Sequence, residues 1–331
     1  MFHNKMFFCI ILKICKRRIM KLVLIFLGII LGLTYGHYNY GFIFDSNICL
    51  FAGITLIMPT LFNVKLKDIT LLYTYKKIVL KSLLINYLLL PAAALGIGLL
   101  TNNFGIAAGL FLLSVLSGGG MVMHWIKTSG GDTSLGFLLL FLNLIFVSFS
   151  LLLLHAFGIY TSDYFGEFYL DGINMSNFAQ AVIELLIIIP FILSRVIIYI
   201  KPLKEFIEKQ KSYISDISIF IIIFYLFALN QSQTLFEIYE WEPELIYISL
   251  GAVIFFYFIT FVVAKVFYDT NSEQETAAFW HTVTRYITLA LVVSTFSIST
   301  FGTSMLLPIM FAYIIQIPFS SIVSKQQKKE F

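Results

Sequence analysis

The residues best suited to chemistry are polar groups stranded in apolar surroundings. Residues 275–297 form a largely hydrophobic stretch that nevertheless carries His281, Thr284, Arg285 and Thr288. His281 and Arg285 are spaced i, i+4, which on a helix puts both on one face, joined by Thr284 and Thr288. In a bilayer-spanning helix, Arg285 would sit about ten residues from the inner end, roughly 15 Å deep at the helical rise. A charge at that depth costs at least about 2.5 kcal/mol on insertion scales, so it faces a partner or a cavity. The stripe reads as an anion-facing wall, and the competing reading is a salt bridge from Arg285 to Glu184 or Asp216.

Three further features carry chemical weight. Ser117-Gly118-Gly119-Gly120 is a poor helix interior that can release backbone groups to a ligand, with tight packing through small residues as the alternative. His124 follows that run. Glu184 is the one acid placed well inside an expected helix, about seven residues from its outer end, where a buried carboxylate can carry a proton or neutralise Arg285. No serine elbow, HExxH or GxGxxG occurs, His124 with Trp125 makes no metal pair, and Cys9, Cys15 and Cys49 form no CxxC. Neither a cofactor, a metal nor an enzymatic reaction is indicated, and nothing points to nucleic acid.

The elements that must position these residues are membrane helices. Of 331 residues 59% are apolar and 12% charged, too few charges for a water-facing surface. Runs such as Leu22–Leu33, Phe137–Leu154 and Val182–Ile200 are long and nearly uncharged. Apolar windows place ten spans near 21–37, 48–64, 79–100, 105–126, 133–157, 177–200, 213–231, 244–268, 275–297 and 301–324. With the N-terminus inside, all but one of the 22 Lys and Arg residues fall on inner segments or inner helix ends. The exception is Arg285, and the outer loops carry acids instead, which is the positive-inside signature of an N-in, C-in protein of the cytoplasmic (inner) membrane.

Ten spans divide into five plus five, and an odd-numbered half makes the second half enter from the opposite side, the inverted-repeat logic of secondary transporters. The organisation expected is a basic N-terminal extension over 1–20, a first five-helix repeat over 21–157, an outer loop, sixth helix and amphipathic inner connector over 158–212, and the rest of the second repeat over 213–331. Met20 is a plausible alternative start, and the first span is read as uncleaved. Five prolines, Pro59, Pro91, Pro190, Pro308 and Pro318, lie within spans.

Gly118-Gly119-Gly120-Met121-Val122-Met123-His124-Trp125, followed by Gly131-Asp132, resembles the fourth-helix region of the bile acid/sodium symporter superfamily, closest to its arsenite-efflux permease branch. Ile54–Lys67 resembles the second span of that superfamily, and Leu289-Ala290 with Leu306–Ser324 its last two spans. The resemblance implies two inverted five-helix repeats, panel and core subdomains, and discontinuous fourth and ninth helices that cross near the substrate. It thereby implies that Gly118–Gly120 faces the His281–Thr288 stripe. Gly118 stands where arsenite permeases carry a cysteine, and His281, Arg285 and Tyr286 replace the acidic and amide residues of the sodium-coupled branch.

The reading is an all-α polytopic membrane protein, a secondary transporter or permease of a small anionic solute not clearly coupled to sodium. Its expected solute-binding residues are Gly118, Gly119, Gly120, His124, His281, Thr284, Arg285 and Thr288, with Glu184 as a proton carrier. The alternatives are an arsenite or antimonite efflux permease with altered ligands, or a non-transporting sensor or scaffold.

Overall fold

A computed structural model describes residues 73–119, 122–167, 188–232 and 243–327, with scattered positions between 23 and 62 and at 184. The elements are α1 Lys76–Thr101, α2 Phe104–Val115, α3 Val122–Thr128, α4 Thr133–Ile145, α5 Val147–Phe165, α6 Ile189–Tyr199, α7 Lys201–Ser232, α8 Pro243–Phe267, α9 Glu273–Val283, α10 Ile287–Phe301 and α11 Leu306–Gln327. Among the described residues there is no strand.

Local sequence sets the helix ends. Asn103 caps α2 by accepting from Ile106 N–H, Asp132 caps α4 through Ser134 and Leu135 N–H, and Ser272 caps α9 through Glu275 N–H. Each side-chain oxygen takes up a donor that the first helical turn leaves unpaired. Asn102 and Gly166 end α1 and α5 in left-handed conformation.

By length and apolarity α1, α8 and Thr303–Ser324 can each cross a membrane, and α4 with α5, bent by 50° at Phe146, can make a fourth crossing. The expected span at 21–37 is described in part and is helical over 30–36, while most of that at 48–64 and the start of that at 177–200 lie outside the described residues. Two expectations change. The spans at 105–126 and 275–297 are not single helices, since each is interrupted. The inner connector 201–212 is not a separate element either: it forms the first three turns of the 32-residue α7.

Every residue of α2 is buried, so this helix runs through the centre. Its glycines permit that approach. A Cβ on Gly109 would stand 2.4 Å from the Met305 carbonyl oxygen, and one on Gly105 2.7 Å from that of Phe301, the close contact that small residues allow between membrane helices. By contrast α1 and α8 expose Leu80, Leu84, Leu88, Ile254, Phe255 and Phe258, an apolar outer face suited to lipid. At one end, Lys81 Nζ donates to Glu275 Oε1 (2.9 Å) and to the Phe267 carbonyl (2.8 Å), joining α1 to the α8–α9 turn.

Candidate functional site

The two interrupted helices meet inside the molecule. α2 stops at Val115 and α3 starts at Val122, while α9 stops at Val283 and α10 starts at Ile287. Between them Ser117 and Arg285 lie side by side in an isolated antiparallel bridge. Helix ends leave main-chain groups without partners, and here they are exchanged across the contact. Gly118 N–H donates to the carbonyls of His281 (3.0 Å) and Thr284 (2.8 Å), and Tyr286 N–H donates to that of Leu116 (2.9 Å). Irregular backbone at membrane depth requires this kind of enclosure in protein, and Ser117, Thr284 and Arg285 are all buried.

The first interruption depends on glycine. Gly118 has φ +72° and Gly119 φ +147°, values that side chains other than glycine rarely adopt. Space is short as well, since a Cβ on Gly118 would stand 2.8 Å from His281 Nε2. The second interruption contains no glycine. Thr284 is extended at φ −89°, ψ 138°, and Tyr286 has φ −83°, ψ 66°, both open to ordinary residues.

Each interruption is held by a carboxamide from a helix further along the chain, and each carboxamide by a tyrosine. Asn143 of α4 donates from Nδ2 to the Ser117 carbonyl and accepts at Oδ1 from Ser117 Oγ (3.3 Å) and Tyr87 OH (2.9 Å). Gln316 of α11 accepts at Oε1 from Arg285 N–H (2.6 Å) and Tyr257 OH (2.8 Å), and its Nε2 donates to the Arg285 carbonyl (3.3 Å). Ser117 and Arg285, the two residues so gripped, are the bridged pair. The Trp125 ring of α3 stacks on the Trp280 ring of α9 at 5.6 Å.

Arg285 lies in the extended segment, not on a continuous helix face, so its i, i+4 relation to His281 does not make a shared helical stripe. Its Nη1 donates to the Ser114 carbonyl (2.9 Å) and its Nη2 to the Thr282 carbonyl, while Nε has no partner. Among the described residues it forms no ion pair, Glu184 included, and Glu184 is exposed where burial was expected. The side chain of Asp216 lies outside the described residues.

The remaining expected residues divide in their placement. His281 is buried against Gly118, with the Leu139 backbone near its ring but neither ring nitrogen in a well-formed hydrogen bond. Thr284 Oγ1 turns back to the Trp280 carbonyl (2.6 Å), and Gly119 lies at the crossing with its carbonyl accepting from Val122 N–H (3.0 Å). His124 is exposed on α3, away from the buried contact. Gly120 lies outside the described residues. Thr288 is in the first turn of α10, and its side chain is likewise outside them.

Asn143, Gln316, Tyr87 and Tyr257 were not singled out by the sequence, nor was Asn86. The last donates to the Thr282 hydroxyl (3.2 Å) and leaves its buried Oδ1 without a partner. The signal available was a lone amide inside an apolar span, as in Ile315-Gln316-Ile317 or Leu142-Asn143-Leu144, which hydrocarbon tolerates only against a partner.

With this geometry in hand, the profile of the Sodium Bile acid symporter family matches residues 49–241, more than half of the chain. The chain belongs to that family. Comparison with curated proteins gave no significant match. The family and the apolar helices together make this an integral membrane protein of the transporter class, whose partner is a small solute. The matched segment contains Tyr87, the glycine interruption and Asn143, and it ends before Tyr257, Arg285 and Gln316.

Proposed function

We propose that this bile acid symporter family member is a permease that moves a small anionic or strongly hydrogen-bonding solute by alternating access, with its solute site at the helix crossing. The observation that carries the reading is the concentration there of buried polar atoms without a well-formed hydrogen bond: Asn86 Oδ1, His281 Nδ1 and Nε2, and Arg285 Nε. Such groups cost about 1–3 kcal/mol each when left unpaired, and a solute or its water would satisfy them. No carboxylate among the described residues engages Arg285, whose side-chain hydrogen bonds go to carbonyls, so no acid competes with an anionic solute for its donors. The site residues proposed are Asn86, Gly118, Gly119, His281 and Arg285, and the matched Tyr–carboxamide pairs on the two interruptions support two related, oppositely oriented halves.

The same reading has an N-in, C-in protein of the inner membrane that works as a uniporter or with protons and without sodium. A cysteine introduced at Lys204, in a Cys-free background, should be closed to impermeant reagents in intact cells, and one at Glu240 open. The arsenite alternative is disfavoured by the chemistry of the crossing, where Gly118 and His281 offer no thiolate for a soft metalloid.

The deciding experiment is a thermal-stability screen of purified protein against organic acids, oxyanions and neutral polar solutes. A true substrate raises Tm saturably by mass action, and His281→Leu should weaken that effect while leaving the unliganded Tm close to that of the parent. Stabilisation by neutral solutes alone would replace the anionic class. Stabilisation untouched by His281→Leu would move the site away from the crossing.

A further inference from the structure

The two carbonyls that receive the Arg285 guanidinium are equivalent in their helices. Ser114 is the penultimate residue of α2 and Thr282 the penultimate residue of α9. In an uninterrupted helix their carbonyls would accept from Gly118 and Tyr286 N–H, four residues on. Both amides are instead given away across the crossing, Gly118 to His281 and Thr284, and Tyr286 to Leu116. One side chain fills the two vacancies, Nη1 on Ser114 and Nη2 on Thr282.

The charge balance fits as well. A helix C-terminus carries the equivalent of about half a negative charge, so two ends converging on one point present about one. No carboxylate lies against the guanidinium among the described residues, and the face of Phe256 lies 5.9 Å from Cζ. Outward-turned carbonyls at converging helix ends are the hard oxygen ligands that hold monovalent cations in membrane proteins.

We propose that the Arg285 guanidinium is a tethered cation, filling a carbonyl-lined monovalent-cation site made by the C-terminal ends of α2 and α9. The protein thereby carries within its own chain the cation that this site requires. Removing the side chain exposes the site to a cation from solution. The proposal deepens the reading of the crossing as the transport site and rests on it for its meaning in transport, with one consequence for the solute: the guanidinium charge is answered by the helix ends, so an anion there is held by hydrogen-bond donors more than by unbalanced charge.

The test needs no substrate, so its outcome is separate from that of the solute screen. Tm is measured for the parent protein, Arg285→Ala and Arg285→Lys in choline chloride, and again with sodium, potassium or guanidinium replacing choline at equal ionic strength and low, non-denaturing concentration. The parent and Arg285→Lys should show the same Tm in all four salts. Arg285→Ala should melt lower in choline and recover saturably with guanidinium, and to a lesser degree with sodium or potassium, because only guanidinium restores the planar fork. Should Arg285→Ala not be recovered folded, Arg285→Gln takes its place, since its amide can cap one carbonyl and leave the other for a cation. A lowered Tm that no small cation raises would show an ordinary helix cap, and saturable stabilisation of the parent by sodium over choline would show that the site is not already filled. Either result overturns the proposal.

Discussion

The interruption after α2 is made by glycines at φ +72° and +147°, and the one after α9 by Thr-Arg-Tyr, with Thr284 and Tyr286 in dihedrals open to ordinary residues. Both reach the same end, an extended segment whose polar groups are satisfied by the other segment and by one remote carboxamide. The first break is written into its own residues, because almost nothing but glycine fits them. The second is written elsewhere: Thr284, Arg285 and Tyr286 would continue a helix well enough, and what holds them out of it is Gln316, thirty-one residues on, together with the Leu116 carbonyl. A broken membrane helix can therefore be encoded by local conformational preference or by tertiary hydrogen bonding, and this protein uses one of each.

That contrast is open to direct attack. One of the two largest effects is expected from Gly118→Ala, where strain at positive φ of roughly 1–2 kcal/mol adds to crowding of about 1–3 kcal/mol against His281. Thr284→Ala, in the other break, should lose only the hydroxyl bond to Trp280, about 1 kcal/mol. Denaturation of the two purified variants measures both, and equal losses would mean that the glycines are not conformationally required.

Next come the carboxamides. Gln316→Leu strands the N–H and the C=O of Arg285, at about 1–3 kcal/mol for each group, whereas Asn143→Leu leaves a segment still shaped by its glycine dihedrals. Gln316→Leu should therefore lower Tm more and abolish the substrate-induced shift. An Asn143→Leu loss as large or larger would break the claim that the second interruption depends on its remote clamp more than the first does.

A smaller and nearly equal loss, about 1 kcal/mol, is expected for Tyr87→Phe and Tyr257→Phe, since each removes one hydrogen bond to its carboxamide. Additivity in the double variant would show that the two clamps act independently. The least effect should come from Lys81→Met, outside the crossing, because its partly exposed pair with Glu275 contributes under about 1 kcal/mol and weakens further with salt.

The same contrast explains what the sequence discloses. Helical membrane character follows from composition, and the interruption at Ser117–Gly120 is visible as a run that no helix interior favours. The interruption at 284–286 has no such mark: residues 275–297 read as one continuous helix, and only the family resemblance implied a break there. The error propagated to the site, since a helix would align His281 with Arg285 on one face, whereas the extended backbone sends the guanidinium to the ends of α2 and α9. Polar residues inside apolar spans announced that something would be bound, but not that Gln316 would bind backbone or that Arg285 would bind carbonyls. Pairing between elements far apart in sequence is a tertiary property, and hydrophobic periodicity carries no information about it.

One turn of α1 has a bearing on all of this. Ile85–Leu89 is wound as a π-helix, a rare turn that takes up more residues than an α-turn and is often found at functional positions. Its two consecutive polar residues address different halves of the crossing: Asn86 reaches Thr282 of α9, and Tyr87 reaches Asn143 beneath the glycine break. Each residue of an α-helix advances the side chain by about 100°, so the wide turn works as a fixed rotary offset between the two ends of α1. Below it the helix presents Lys81 to α9, within it Asn86 does the same, and above it Gly98, where an added Cβ would lie 2.8 Å from Ala107 Cβ, nestles against α2. Deleting one residue from Ile85–Leu89 would turn one end against the other by that angle and leave a straight, stable-looking helix in register with only one of its two neighbours.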